Sequence, residues 1–189
     1  MSNIQTLVKE MKQNGIGLMS EIQYLNVAYV IGLLSPCNLL IFGLGEDSTL
    51  WTEINKAGKT VFIEDDKEWI KKFDGQNLDI CPTTYDTLAS QWREIGFDVK
   101  KLKMDLPEEI VGAEWDLIFV DGPLGHNPPR PYKGPGRMQS IYTAHCLLKE
   151  NGVCIIDDIG RLIESTYAEY FFGNESLNII ENKVGVFKK

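Results

Sequence analysis

The chain has 189 residues, 43% of them hydrophobic and 24% charged, which excludes intrinsic disorder and indicates one globular domain. Lysine and arginine number 19 against 27 aspartate and glutamate, and the resulting net charge of −8 argues against a nucleic-acid-binding surface. The longest apolar run, Val27 to Leu34, falls short of the roughly 20 residues of a membrane helix. We therefore expect a cytoplasmic protein without a signal peptide or membrane anchor, which binds neither nucleic acid nor membrane, and leave its oligomeric state open.

Residues 1–35 are predicted to be a helical segment that packs on the rest of the chain. Apolar residues recur there at helical spacing, and Gly15 and Gly17 divide the segment into two helices. Ser20 followed by Gln23 predicts a capping box at the start of the second helix.

Residues 36–189 alternate short apolar runs with helical patterns, which predicts a single α/β domain. The predicted strands are 38–42, 60–63, 78–81, 115–120, 153–156, 177–180 and 184–187. The predicted helices are 48–58, 66–75, 88–95, 138–148 and 164–172, with a short one opening at 105–109. Runs that are apolar on both faces are typical of buried parallel strands, whereas the last two strands are too close together for a crossover helix. We predict a mostly parallel, doubly wound sheet with an antiparallel C-terminal edge hairpin, the Rossmann-like architecture of class I methyltransferases.

The loop after the first strand is the first candidate ligand site, because such sheets bind ligands beyond the carboxyl ends of their strands. Gly43 and Gly45 allow a tight turn and a close approach of a ligand to the backbone. Ser48 stands where a dinucleotide motif has its third glycine, and Glu46 and Asp47 disfavour a pyrophosphate. A cationic or neutral ligand fits better, and S-adenosylmethionine (SAM) carries a sulfonium and an ammonium. A tight turn without a ligand is the alternative.

Glu64 ends the second strand, 21 residues after Gly43, where a carboxylate can accept hydrogen bonds from ribose hydroxyls. A solvated acidic turn, shared with Asp65 and Asp66, is the alternative. The residues predicted to bind the cofactor are Gly43, Gly45, Asp47, Ser48, Glu64, Asp65 and Asp121.

Three aspartates follow the fourth and fifth predicted strands: Asp121, Asp157 and Asp158. Carboxylates on neighbouring strand ends repel one another unless a cation or a proton lies between them. They could hold a divalent metal ion, or Asp121 or Asp157 could act as a base on an acceptor hydroxyl. The structural alternative pairs Asp158 with Arg161.

A long Pro/Gly-rich loop, residues 122–136, follows the fourth strand and is predicted to bind substrate. Basic residues in and just after the loop suit an acceptor with a negative charge, such as a uronic acid, because arginine is a good carboxylate ligand. The predicted substrate-binding residues are His126, Arg130, Lys133, Arg137 and Tyr142.

Three segments together resemble a known family. They are residues 38–51 with the glycine loop, residues 62–66 with Glu64, and residues 116–125 joined to the Pro-Gly-Arg-Met run at 135–138 and to residues 141–144. The resemblance is to the plant glucuronoxylan 4-O-methyltransferases and their relatives in xylan biosynthesis, the DUF579 family, and covers roughly residues 36–172.

The resemblance implies SAM-dependent transfer of a methyl group to the 4-hydroxyl of glucuronic acid. It implies that Gly43, Gly45 and Glu64 hold SAM, that Asp121 lies at the reacting centre, and that Arg137 lies in the acceptor pocket with a role in catalysis. Where the plant enzymes have a His-Asp pair, this chain has Asp157-Asp158, and its aspartates also resemble the metal site of catechol-type O-methyltransferases. Two alternatives therefore stay open: a metal-dependent enzyme acting on a small molecule, and a non-catalytic SAM-binding or polysaccharide-assembly module.

Overall fold

A seven-stranded sheet forms the centre of the protein. The computed structural model describes residues 2–125, 134–173 and 176–189. The strands are β1 Asn38–Phe42, β2 Lys59–Glu64, β3 Asp79–Pro82, β4 Trp115–Val120, β5 Leu148–Ile156, β6 Ser176–Ile180 and β7 Val184–Lys188. Their order is β3-β2-β1-β4-β5-β7-β6, and β7 is antiparallel to both of its neighbours while the first five strands are parallel. The predicted sheet and its antiparallel C-terminal hairpin are confirmed.

Helices cover both faces of this sheet. They are α1 Ser2–Gln13, α2 Glu21–Leu34, α3 Ser48–Ile54, α4 Lys67–Lys72, α5 Trp92–Ile95, α6 Val99–Leu102, α7 Glu108–Val111, α8 Met138–Leu147 and α9 Leu162–Phe172. None of the helices in the described ranges has the length and apolar character needed to cross a membrane.

The helices divide the core into two layers, one on each face of the sheet. On one face, Val8 of α1 and Ile31 of α2 pack in the same cluster as Trp51 and Phe119. On the other face, residues of α8 and α9 such as Met138 pack with Trp115 and other inward-facing strand residues. The N-terminal segment therefore contributes to the core by covering one face of the sheet.

Local sequence motifs determine where the two N-terminal helices end and begin. Ser20 Oγ accepts a hydrogen bond from Gln23 N at 3.2 Å, and Gln23 Oε1 accepts one from Ser20 N at 2.9 Å, so the predicted capping box is confirmed. Gly15 and Gly17 adopt positive φ angles of 72° and 79° between the two helices, a conformation that glycine adopts without strain.

Three details differ from the sequence prediction. The predicted helix at 88–95 is split into a 3₁₀ turn, Ala89–Gln91, and α5, and α6 was not predicted. Strand β5 begins at Leu148, five residues earlier than predicted, and its register with β4 shifts between Trp115 and Leu117. Asn151, with φ 62°, lies in the part of β5 that was not predicted. Polar residues interrupt the apolar pattern there, so a search for apolar runs does not detect the strand.

Candidate active site at the strand ends

The backbones that follow β1 and β4 lie in direct contact. A Cβ atom on Gly43 would lie 2.9 Å from Gly122 N, and one on Gly122 would lie 2.6 Å from Gly43 Cα. Gly43 also has a φ of 106°, in the region that favours glycine, and its N donates to Ile63 O at 2.8 Å. These two glycines hold β1 and β4 close at the point where the strand order of the sheet reverses, which is where open α/β sheets bind ligands.

A small cavity of about 60 Å³ opens beside this contact. Its lining residues are Ile41, Gly43, Leu44, Gly45, Asp47, Ser48, Trp51 and Asp121. The structure thus brings five of the predicted cofactor-binding residues, Gly43, Gly45, Asp47, Ser48 and Asp121, to one cavity. Within the loop, Gly45 N donates to Ser48 Oγ at 2.9 Å.

Glu64 supports this loop through backbone amides. Its Oε2 accepts a hydrogen bond from Leu44 N at 2.6 Å, and its Oε1 accepts from Asp65 N at 2.9 Å and Asp66 N at 2.8 Å. A carboxylate has about four acceptor positions, so three are already used. Burial raises the pKa of Glu64 although these hydrogen bonds act against the shift. Glu64 therefore joins the β1 and β2 loops, and Asp65 beside it is half-buried.

Tyr24 of α2 contacts two residues that line this cavity, Asp47 and Trp51. Its hydroxyl donates to Asp47 Oδ2 at 2.8 Å, and its ring stacks on Trp51 with centroids 5.7 Å apart. Burial raises the pKa of Asp47, with the Tyr24 hydrogen bond acting against the shift. Sequence analysis did not identify Tyr24, because nothing local links it to a residue 23 positions away.

Asp121 and Asp157 form a pair of carboxyl groups at the ends of β4 and β5. Burial together with the Asp157 charge raises the pKa of Asp121 well above its ordinary value. Asp157 Oδ1 is buried without a hydrogen-bond donor among the described residues. Because two neighbouring buried charges are unfavourable, Asp121 keeps its proton to a higher pH than an ordinary aspartate.

Arg137 lies beneath this pair, with a side chain only 3% exposed. Its Nε donates to Pro123 O at 3.0 Å, its Nη1 to Asp157 O at 2.8 Å, and its Nη2 to Asp121 O at 2.7 Å and Asp121 Oδ1 at 3.2 Å. A guanidinium that is engaged in this way links the ends of β4 and β5. It is directed away from open solvent, so the expectation that Arg137 clamps an acceptor carboxylate is corrected to a positioning role.

Asp158 is turned toward arginines. Its Oδ2 lies 3.2 Å from Arg137 Nη2 and 2.8 Å from Arg161 Nη2, which is the structural alternative predicted for this residue. Lys183, in the turn between β6 and β7, lies 3.9 Å from Asp157 Oδ2 and 4.0 Å from Asp158 Oδ1. Within the described ranges, no group of three or more acidic, histidine or cysteine side chains could hold a metal ion. The predicted site of Asp121, Asp157 and Asp158 is thus corrected to an ion-pair network, because cations from the protein already face Asp158.

Of the remaining predicted substrate residues, the structure describes Tyr142. The ring of Tyr142 packs between α8 and α9 with its centroid 5.3 Å from that of Phe171. The positions of His126, Arg130 and Lys133 lie outside the described residues.

A larger cavity of about 590 Å³, which sequence reasoning missed, is lined in part by Arg161, the ion-pair partner of Asp158. It is formed by the 3₁₀ turn and α5 on one side and by the start of α9 on the other, and its lining residues are Ala89, Ser90, Trp92, Arg93, Gly160, Arg161, Leu162, Ile163 and Glu164. An acidic residue in the first turn of a helix is common, so Glu164 gave no signal in the sequence.

Sequence comparisons identify relatives of the chain. The profile of the IRX15/IRX15L/GXM family matches residues 21–95 and 84–187. Glucuronoxylan 4-O-methyltransferase 1 of Arabidopsis thaliana is 36% identical over 165 residues, which cover 75% of this chain and 57% of that protein. Arabinogalactan O-methyltransferase 1 of the same plant is 33% identical over 168 residues, which cover 75% of this chain and 57% of that protein. The chain thus spans little more than half the length of these relatives.

Solved structures resemble the fold at low sequence identity. A putative caffeoyl-CoA O-methyltransferase from Staphylococcus aureus superposes with a TM-score of 0.58 at 15% identity, covering 98% of this chain and 91% of that one. The T. thermophilus 16S rRNA N2 G1207 methyltransferase, solved with AdoMet and guanosine, gives 0.57 at 18% identity, covering 92% and 44%. At such identities the likeness shows the class I methyltransferase fold alone. The family match settles the relationship: the chain belongs to the IRX15/IRX15L/GXM family.

Proposed function

We propose that the protein is a SAM-dependent O-methyltransferase whose acceptor is a sugar acid on a polysaccharide, with the 4-hydroxyl of glucuronic acid as the methylated group. The observation that carries the proposal is the 60 Å³ cavity at the switch point of the sheet, bordered by both Gly43 and Asp121. Membership of the family, with relatives named as glucuronoxylan and arabinogalactan O-methyltransferases, supports this acceptor class.

The cavity is smaller than a whole SAM molecule, but the residues around it suit the approach and the positive charge of such a ligand. Gly43 and Gly45 leave the backbone free of side chains where the ligand would approach it. Asp47 and Asp121 place carboxyl groups beside the same space, which suits a ligand with positive charges. Since Glu64 has three amide partners, we assign ribose recognition to its remaining acceptor position together with the half-buried Asp65.

SAM would supply an electrophilic methyl group, so that the acceptor oxygen forms a C–O bond while the C–S bond to the departing S-adenosylhomocysteine (SAH) breaks. The proton of the acceptor hydroxyl must then go to a base. Asp121 is the group we assign, because its side chain is 31% exposed toward the site while Asp157 is buried behind it. The same surroundings that raise the pKa of Asp121 make its ionised form a stronger base.

Arg137 positions this base through four hydrogen bonds to Asp121, Asp157 and Pro123. Most of the rate of an in-line displacement comes from holding the reactants in place, so fixing the two strand ends matters for the reaction. The proposal does not include a divalent cation, because the Asp158 carboxylate already pairs with Arg137 and Arg161.

Calorimetric titration with SAM and SAH, followed by a methyl-transfer assay, tests the proposal. We expect saturable binding of both ligands and transfer to glucuronic-acid-substituted xylo-oligosaccharides, with arabinogalactan as the competing acceptor. An added chelator should leave the rate unchanged. Binding without transfer to either acceptor would favour the non-catalytic assembly module, and absence of SAM and SAH binding would refute the proposal.

A further inference from the structure

The 590 Å³ cavity has the features of a built binding site. Its volume lies in the range of roughly 300–1,000 Å³ that is typical of small-ligand sites. One wall is the segment from Ala89 to Arg93, and the other is the start of α9 from Gly160 to Glu164. The cavity is separate from the one at Gly43, since the two have no lining residue in common.

Glu164 is a buried carboxylate that lacks a hydrogen-bond donor. The residue is 1% exposed, and within the described part of the chain neither Oε1 nor Oε2 has a hydrogen-bond partner. Among the described residues, the cation that pairs with it is Arg161, whose Nη1 lies 3.9 Å from Oε1 in a loose ion pair. A buried acceptor without a donor is unfavourable, and a ligand hydroxyl in the cavity would remove this penalty.

Arg93 and Trp92 supply the opposite wall. The Arg93 guanidinium lies over the Trp92 ring, with Cζ 4.4 Å from the ring centroid. Among the described residues no acidic group forms an ion pair with Arg93, in contrast to Arg137 and Arg161. An exposed guanidinium held in place by an aromatic ring is well suited to bind a carboxylate.

Ion pairs join this cavity to the proposed base. Arg161 on the cavity wall and Arg137 beneath Asp121 both contact Asp158 Oδ2, at 2.8 Å and 3.2 Å. A Cβ atom on Gly125, just beyond β4, would lie 2.9 Å from Glu164 Oε1. These contacts connect the cavity to the segment that follows β4 and, through Asp158 and Arg137, to Asp121.

We propose that this cavity is the acceptor subsite, in which Arg93 binds the carboxylate of a sugar acid, Glu164 accepts a hydrogen bond from a sugar hydroxyl, and Trp92 contacts the ring. This assignment rests on the proposed function, because the subsite would bind the acceptor of that reaction. Its three residues were identified neither by the strand-end motifs nor by the family resemblance.

Two substitutions, each assayed on two acceptors, test the assignment. The acceptors are a glucuronic-acid-substituted xylo-oligosaccharide and the same compound with its carboxyl group reduced to an alcohol. Arg93→Gln should raise KM about tenfold for the acidic acceptor only, because one charged hydrogen bond is lost. Glu164→Gln should raise KM for both acceptors by a smaller factor, with a melting temperature that is unchanged or higher, since a buried charge is removed.

Lys100→Gln, which removes an exposed charge from the nearby α6, is the control and should change neither KM. SAH binding should be the same in all three variants, which separates acceptor binding from cofactor binding. An unchanged KM in Arg93→Gln, or an equal rise for the acidic and the reduced acceptor, would contradict the role of Arg93. A Glu164→Gln variant with unchanged KM for both acceptors would contradict the role of Glu164.

Direct titration with the acidic oligosaccharide, without SAM, separates this inference from the proposed function. If the wild-type protein transfers no methyl group but binds the oligosaccharide, and Arg93→Gln weakens that binding about tenfold, the subsite stands and the reaction is wrong. If the wild type methylates this acceptor and both substitutions leave KM unchanged, the reaction stands and the subsite is wrong. If the wild type does not bind the oligosaccharide, the subsite is refuted.

Discussion

The two sides of the strand-end edge are built from different interactions. On the β1–β2 side, Glu64 accepts from three backbone amides and Gly43 lies against the backbone of Gly122, so polar groups are satisfied and the shape is fixed. On the β4–β5 side, Asp157 and Glu164 retain buried carboxylate oxygens that lack donors among the described residues. The first arrangement provides a rigid cradle for a ligand, whereas the second retains acceptors for protons and for ligand hydroxyls.

Among the substitutions that test this contrast, Asp121→Asn on the β4–β5 side should have the largest effect on activity. The amide has nearly the same shape but cannot act as a base, so methyl transfer should fall by roughly 10²–10⁴-fold. SAH affinity, measured by calorimetry, should change little, because the cradle on the β1–β2 side is intact.

Asp116→Asn is a matched control on the same strand. Asp116 lies at the opposite end of β4, where it accepts a hydrogen bond from Asn38 N and pairs with Lys149. Its substitution should leave the transfer rate unchanged. Equal losses in the two variants would show that β4 is sensitive to any loss of charge and would remove the case for Asp121 as the base.

Gly43→Ala tests the rigidity of the β1–β2 side. The added Cβ would lie 2.9 Å from Gly122 N at a residue with φ 106°, so we expect a loss of about 2–4 kcal/mol in the free energy of unfolding, together with loss of SAH binding. Gly75→Ala is the comparison: φ there is 78°, but no atom lies within 4 Å of the added Cβ. It should lose only about 1–2 kcal/mol in denaturant unfolding, and a similar loss in both variants would show that the close contact does not matter.

Glu64→Gln measures how much the amide cluster contributes. A glutamine places an NH₂ group where one carboxylate oxygen accepts from Leu44 N or from Asp65 N and Asp66 N, so at least one buried amide loses its acceptor. The expected loss is roughly 1–3 kcal/mol in denaturant unfolding. Glu53→Gln on the exposed face of α3 should change stability by less than about 0.5 kcal/mol. Equal stability of the two variants would contradict the proposed role of Glu64 in joining the loops.

The smallest effect is a pH dependence of stability that comes from the β4–β5 side. Burial and the Asp157 charge raise the pKa of Asp121 in the folded state, so the folded protein keeps a proton that the unfolded chain releases above about pH 4. The free energy of unfolding should therefore fall as the pH rises from about 4 toward the raised pKa of Asp121. Above that pKa the lost stability should not return. Because the side chain is 31% exposed, we expect no more than about 1 kcal/mol.

Melting temperatures at pH 5 and pH 8 check this sign. The wild type should lose more stability than Asp121→Asn between the two values. A wild type that gains stability relative to Asp121→Asn over the same interval would show that the Asp121 pKa is lowered in the folded protein.

The carboxyl ends of the central strands were predictable because each apolar run is followed directly by glycine or acidic residues. Gly43, Glu64 and Asp121 were placed at one edge by that pattern and by the rule that parallel strands end together. Arg137 was misassigned for a physical reason: it follows a long Pro/Gly-rich loop in the sequence, but its side chain turns inward to the ends of β4 and β5. The sequence left three interpretations of Asp158: a metal ligand, a catalytic residue or a structural ion pair. Only its distances to Arg137 and Arg161 decide between them.

The sequence by itself determined the alternation of strands and helices, the antiparallel hairpin at the end and the family, since each is encoded in local periodicity or in contiguous motifs. Tertiary structure alone decided which polar groups meet: Tyr24 with Asp47, Asp121 with Asp157, and Glu164 with the cavity. The reason is that backbone propensity acts over a few residues, whereas the direction and partners of a buried side chain depend on packing between segments far apart in the chain.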